Sequence, residues 1–100
     1  MIYAAVMGYG TIGSGVVEVL DRNRDVISAR TGEEIRVKYI LDLREFPGDP
    51  NEDKLIHDFS VIEKDEEIGI VVEAMGGVRP AYDFAKACLL AGKHVVTSNK

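Results

Sequence analysis

The stretch Ile2-Tyr3-Ala4-Ala5-Val6-Met7-Gly8-Tyr9-Gly10-Thr11-Ile12-Gly13-Ser14-Gly15-Val16 decides the fold. Its first part is apolar without alternation, as a strand is when both its faces are covered inside a parallel sheet. Glycines at 8, 10 and 13 break the run. Ile12, Val16, Val19 and Leu20 then recur at helical spacing, which places them together on one helix face. Strand, glycine turn and helix in that order form the setting in which G-x-G-x-x-G marks a dinucleotide site. The first glycine permits the tight turn, the second lets backbone approach a pyrophosphate, and the third lets helix and strand pack closely. The helix N-terminus adds free N–H groups and partial positive charge. Glycine triplets also serve as plain structural turns, and the flanking elements are what favour the nucleotide reading. Gly8, Tyr9, Gly10, Thr11, Ile12 and Gly13 are thus candidate cofactor contacts, with Tyr9 expected over the phosphates or on the surface.

Outward from that loop, the helical pattern runs through Val26 and Ile27 to Gly32, a glycine suited to ending a helix. A β-branched and aliphatic run over residues 35–43 predicts the second strand. An irregular excursion over 44–53 carries Pro47, Gly48 and Pro50. Residues 59–62 fit either a short edge strand or a helical turn. A clear strand over 68–74 leads into Met75-Gly76-Gly77, and Pro80 opens a helix whose apolar stripe is Ala81, Phe84, Ala85, Cys88 and Leu89. Gly92 ends that helix and residues 94–97 form the last strand. This alternation specifies an α/β domain, a Rossmann-type doubly wound parallel sheet of about five strands with right-handed crossovers.

The 100 residues make one domain, with 46% hydrophobic and 29% charged residues, as in ordinary globular chains. A net charge of −5 argues against general nucleic-acid binding, which needs clustered Lys and Arg. Ten acids against three bases lie between Asp42 and Glu67, the pattern of a solvated edge. One cysteine forms no internal disulfide, no apolar run reaches the ~20 residues of a membrane span, and no secretory leader is evident. The expectation is a cytoplasmic domain without membrane contact and without a metal site. The chain starts inside an apolar run and stops at Ser98-Asn99-Lys100 with no polar tail, so residues 1–100 are read as a fragment of a longer chain.

Ligands of open α/β sheets bind beyond the carboxyl ends of the strands. At the end of the second strand Asp42 can accept ribose hydroxyls, although it lies 29 positions past Gly13 rather than the usual ~20. Arg44 beside it can instead pair with a 2′-phosphate, so NAD and NADP both stay open as cofactors. Gly76 and Gly77 leave room for a flat ring, and Lys100 would bring an ammonium to the reacting carbon. His57 reads as a surface residue, His94 as a structural hydrogen-bonding group and Cys88 as a small buried hydrophobe. Glu73, at the end of an apolar strand, needs partners near the glycine turn.

Residues 8–16, Val71-Val72-Glu73-Ala74-Met75-Gly76-Gly77 and Ala91-Gly92-Lys93-His94-Val95-Val96-Thr97-Ser98-Asn99-Lys100 together closely resemble the NAD(P)-binding domain of homoserine dehydrogenase. The resemblance spans the chain. It implies hydride transfer between L-homoserine and L-aspartate 4-semialdehyde with NADP or NAD, in the synthesis of threonine, methionine and isoleucine. It further implies that the glycine loop holds the pyrophosphate and that Met75, Gly76 and Gly77 border the nicotinamide. Ser98, Asn99 and catalytic Lys100 would close the site. The family's substrate domain and most of its dimer interface are absent from these residues, so the fragment alone is expected to be inactive and the full protein a homo-oligomer. The glucose–fructose oxidoreductase and inositol dehydrogenase group shares the A-G-K-H-V segment but usually follows it with Glu-Lys-Pro. A non-catalytic nucleotide sensor would need the loop without Lys100.

Overall fold

A computed structural model describes residues 1–75 and 81–97, without the side chains of Arg24, Ile27, Ser28 and Thr31. Strands β1 (Ile2–Met7), β2 (Ile35–Leu41), β3 (Leu55–Ile56), β4 (Ile68–Glu73) and β5 (His94–Thr97) form one sheet in the order β3-β2-β1-β4-β5, with every pair parallel. Helices α1 (Thr11–Arg22), α2 (Arg24–Thr31), α3 (Ser60–Lys64) and α4 (Ala81–Leu90) lie in the connections. The chain steps outward from β1 to β2 and β3, then returns to lay β4 and β5 on the other side. This reversal at β1 parts the connections above its carboxyl end and opens a crevice there.

β1 is covered on both faces, with Ala4, Ala5, Val6 and Met7 at most 1% exposed. Ala5 and Met7 join Leu41, Ile62, Ile68, Val71 and Cys88 beneath α3 and α4. Val6 joins Tyr9, Val17, Val37 and Ile40 beneath α1. The register shifts twice beside β1. Ala4 and Ala5 face Val37 and Tyr39, leaving Lys38 extra, and Tyr3 and Ala4 face Ile68 and Ile70, leaving Gly69 extra. An extra residue re-aims the strand beyond it, so Val37 and Ile40 share one core and Ile68 and Val71 share the other.

Two lysines tie the lower edge together. Lys38 Nζ donates to Asp65 Oδ2 (2.6 Å) and Glu67 Oε1 (2.9 Å), and the Tyr39 hydroxyl donates to the same Asp65 oxygen (2.9 Å). The Lys38 ammonium holds the Asp65 carboxyl below the ordinary carboxylate range. Buried Lys93 donates Nζ to the carbonyls of Asp65 (2.7 Å) and Ile68 (3.1 Å), joining the turn before β4 to the turn before β5.

Several expected details differ. Ile12 and Val19 are more than half exposed, and α1 instead faces the sheet through Gly13, Val17 and, partly buried, Val16 and Leu20. Gly13 sets this rotation, because a Cβ there would lie 1.7 Å from the Gly8 carbonyl oxygen. The helix does not run unbroken to Gly32. Asn23 stops α1 by donating its backbone N and its Nδ2 to the Val19 carbonyl (3.0 and 3.1 Å), and Val26 is exposed. On α4, Leu89 is exposed while Ala81 and Cys88 are buried. Residues 60–64 are helix, and the short edge strand comes earlier, at Leu55–Ile56. β2 ends at Leu41, and Leu43 is almost fully exposed.

Candidate nucleotide site

Three strand ends converge on one place. Gly8 N donates to the Leu41 carbonyl (2.7 Å) and Ala74 N to the Met7 carbonyl (2.8 Å), so the residues just past β1, β2 and β4 are stitched side by side. A cavity of about 470 Å³ opens above them, lined at its base by Gly8, Gly10, Ala74 and Met75 and at its rim by Asp42 and Arg44.

The three glycines serve different ends. Gly8 has φ +102°, and a Cβ there would meet the Ala74 carbonyl oxygen at 2.9 Å. Gly13 has no room for a Cβ at all. Gly10 is unlike both, since among the described residues a Cβ on it would have only Arg44 Nη2 near it, at 3.8 Å. Among the described residues no packing contact demands glycine at position 10, which is the N-cap of α1 with extended backbone. The space a side chain would fill opens at a helix N-terminus beside a guanidinium, and this suits the close approach of an anionic group.

Asp42 is the hub of the rim. Its side chain is 9% exposed; Oδ1 accepts from Arg44 N (2.9 Å) and Arg44 Nε (3.0 Å), and Oδ2 accepts from Tyr9 N and Arg44 Nη2 (both 2.9 Å). The Arg44 guanidinium, aided by the two backbone N–H groups, holds the Asp42 carboxyl well below the usual carboxylate range. Arg44 is largely exposed and lies 5.2 Å from the Phe46 ring.

Tyr9 corrects the expectation for its side chain. The ring is buried, meets Phe46 edge-on at 5.0 Å, and packs with Val6 and Val17 in the α1 core rather than over the phosphate position. Its hydroxyl donates to Asp49 Oδ1 (2.8 Å) and accepts from Asn51 Nδ2 (3.1 Å), anchoring the excursion after β2. Burial raises the phenol above its ordinary range. Thr11 and Ile12 are exposed at the start of α1. Glu73 is buried, accepting from Met75 N (2.7 Å) and from the Thr97 hydroxyl (2.6 Å), and so braces the turn after β4 against β5. His94 is exposed, and burial pushes the Cys88 thiol up. Gly76, Gly77, Ser98, Asn99 and Lys100 lie outside the described residues.

Sequence reasoning missed much of the cavity wall. Leu41, Leu43, His57, Phe59 and Phe84 line it. Phe59 and Phe84 stack with centroids 4.2 Å apart and planes 9° from parallel. By spacing, Phe84 belongs to the core stripe of its helix, while His57 and Phe59 come after a strand of two residues, too short for periodicity to register. Their position just past a strand's carboxyl end was the available signal.

Comparison with known proteins bears on what the cavity takes. A family model described as the NAD-binding domain of homoserine dehydrogenase matches residues 8–100. The chain belongs to that family. The homoserine dehydrogenase of Helicobacter pylori is 39% identical over 97 residues, covering 95% of this chain and 23% of that protein. The Pseudomonas aeruginosa homoserine dehydrogenase is 35% identical over 100 residues, covering 99% of this chain and 23% of its own length. A crystal structure of Staphylococcus aureus homoserine dehydrogenase at pH 7.0 aligns with a TM-score of 0.89 and 35% identity, covering 99% of this chain and 26% of that one. The chain thus spans about a quarter of the length of the relatives it matches. Its cofactor is NAD(P), and the open space at Gly10 under the α1 N-terminus fits a dinucleotide pyrophosphate. No described helix is long and apolar enough to cross a membrane.

Proposed function

We infer that residues 1–100 are the NAD(P)-binding domain of a cytoplasmic, homo-oligomeric enzyme that interconverts L-homoserine and L-aspartate 4-semialdehyde, with no nucleic-acid or membrane partner. The open space at Gly10 carries this reading, since among the described residues no packing contact calls for a glycine there. Bound nicotinamide supplies the hydride chemistry, and the protein supplies orientation and charge. Gly8 and Gly13 seat α1 and Gly10 leaves its N-terminus open, so that its free N–H groups, with Thr11 and Ile12 in the first turn, meet the pyrophosphate. Met75, Gly76 and Gly77 would border the ring, and Ser98, Asn99 and Lys100 would close the site, with Lys100 the lysine beside nicotinamide and substrate.

At the ribose end the hydrogen-bond count favours NADP. A carboxylate offers about four acceptor sites, and Asp42 meets four donors already. It has little capacity left for ribose hydroxyls. Arg44 places Nε and one Nη2 proton on Asp42 and keeps its other donors for a 2′-phosphate. Calorimetric titration of the chain tests this, with NADP expected to bind roughly tenfold tighter than NAD. The chain alone is expected not to oxidise homoserine. A folded chain that bound neither dinucleotide would overturn the site, and turnover by these 100 residues would overturn the domain assignment.

A further inference from the structure

Glu73 is the last residue of β4 and is 2% exposed. Its two carboxylate oxygens have different partners. Oε2 accepts from Met75 N (2.7 Å), and Oε1 accepts from the Thr97 hydroxyl (2.6 Å). Glu73 and Thr97 are also the last register pair of the β4–β5 ladder. Just beyond it Ala74 N donates to the Met7 carbonyl, which ties the start of the turn to β1 and not to β5. Among the described residues, the Glu73 carboxylate therefore joins the two segments where their backbone ladder stops. A buried carboxylate is costly to desolvate, and an apolar side chain would cover a strand end without that cost. Sheet stability by itself does not explain the choice. What the carboxylate joins does: Met75 lines the cavity, and Thr97 immediately precedes Ser98-Asn99-Lys100 in the chain.

We propose that Glu73 is a positioning residue for the nicotinamide end of the cofactor, holding Met75 and the Thr97 end of β5 at one fixed separation through its two oxygens. The proposal rests on the reading of the cavity as a dinucleotide site with these two strand ends flanking the ring. Glu73 acts through Met75 and Thr97 rather than on the ring itself. A carboxylate only accepts, so both donors are drawn to one group, and turning either away would cost a buried charge one of its hydrogen bonds. The flanks are thus set before the cofactor arrives, and the ring enters a slot that needs little further ordering.

The test uses the 100-residue chain with NADP against ADP-ribose 2′-phosphate, and NAD against ADP-ribose, each pair differing by the nicotinamide ring. Thr97→Val carries it, because Thr97 is exposed and valine keeps the β-branched shape while removing the donor. By calorimetry, the ratio of dinucleotide affinity to ring-less affinity should fall roughly three- to tenfold in T97V, with the ring-less ligands bound as by the parent. Thr97→Ser keeps the hydroxyl and should restore the parent ratio. In Glu73→Gln the amide oxygen can accept from Met75 N and the amide N–H can donate to the Thr97 oxygen. The tie then survives, and the ratio should hold within about twofold. Emission from bound NADPH or NADH should move toward that of free cofactor in T97V alone. Equal weakening of both members of a pair, no loss in T97V, or a collapsed ratio in E73Q overturns the proposal while the nucleotide site stands. A folded parent that binds none of these ligands overturns the site and the proposal together.

Discussion

Alanine at Gly10 and alanine at Gly13 should have opposite consequences, although both add one methyl to one loop. At Gly13 the new Cβ would sit 1.7 Å from the Gly8 carbonyl oxygen, and α1 must slide outward until that distance exceeds about 3 Å. A shift of that size opens the core where Val17 meets Val6. Overpacking of this kind costs about 1–3 kcal/mol, and at roughly 4–8 °C per kcal/mol for a domain of this size the melting temperature should fall by about 4 °C or more. At Gly10 the same methyl meets, among the described residues, only Arg44 Nη2 at 3.8 Å, and the extended backbone accepts alanine. The fold should change by no more than the few tenths of a kcal/mol typical of a weak cap. The methyl would, however, occupy the approach to the α1 N-terminus. Losing one charge-assisted hydrogen bond there, about 1.5–3 kcal/mol, weakens cofactor binding by roughly ten- to a hundredfold. Thermal melts and calorimetry with NADP, run on both variants, check the pair. A Gly10→Ala protein that melts as low as Gly13→Ala, or that binds NADP like the parent, would refute the division of roles.

Two other perturbations test the frame. Lys93→Met should leave the carbonyls of Asp65 and Ile68 without their buried donor and cost roughly 2–4 kcal/mol in urea unfolding; a midpoint unchanged from the parent would remove Lys93 from the framework. Asp42 and Asp65 both titrate below the ordinary carboxylate value when folded, through Arg44 and Lys38 respectively. Their stabilisation is therefore complete above pH ~4 and lost as pH falls further. The urea midpoint should hold from pH 7 to 5 and drop between 4 and 2, with Asp42→Asn showing a shallower fall; a parent midpoint that stays flat to pH 2 contradicts both pairings.

The centre of the sheet was legible because β1 and β4 are six residues each and largely buried, so their apolar runs announce themselves. The glycine loop was legible for the same reason, standing where a buried run ends. Helix faces were not. In α1 the spacing of Ile12, Val16, Val19 and Leu20 is consistent with a stripe, but the contact between Gly13 and Gly8 fixes the rotation, and glycine carries no weight in a hydrophobic pattern. Lys38 and Gly69 shift their strands' alternation by one residue, an event composition does not encode. The wall of the cavity was hidden because β3 spans two residues, and its contribution comes mainly from His57 and Phe59 just beyond it. Asp42 and Arg44 were both found, but not their pairing with each other, which depends on side-chain geometry that spacing leaves free.

The carboxylate of Asp42 has a consequence for inheritance. One group joins the glycine loop, through Tyr9 N, to the segment that meets the ribose, through Arg44, while the Tyr9 hydroxyl grips the same segment further on at Asp49 and Asn51. Lineages that alter taste for one cofactor or the other cannot readily do so by replacing Asp42 alone, since that change also unfastens the loop beneath it. Positions 42 and 44 are expected to drift as a couple, with 9, 49 and 51 constrained in their wake. Phe46, edge-on to the Tyr9 ring, is held with them.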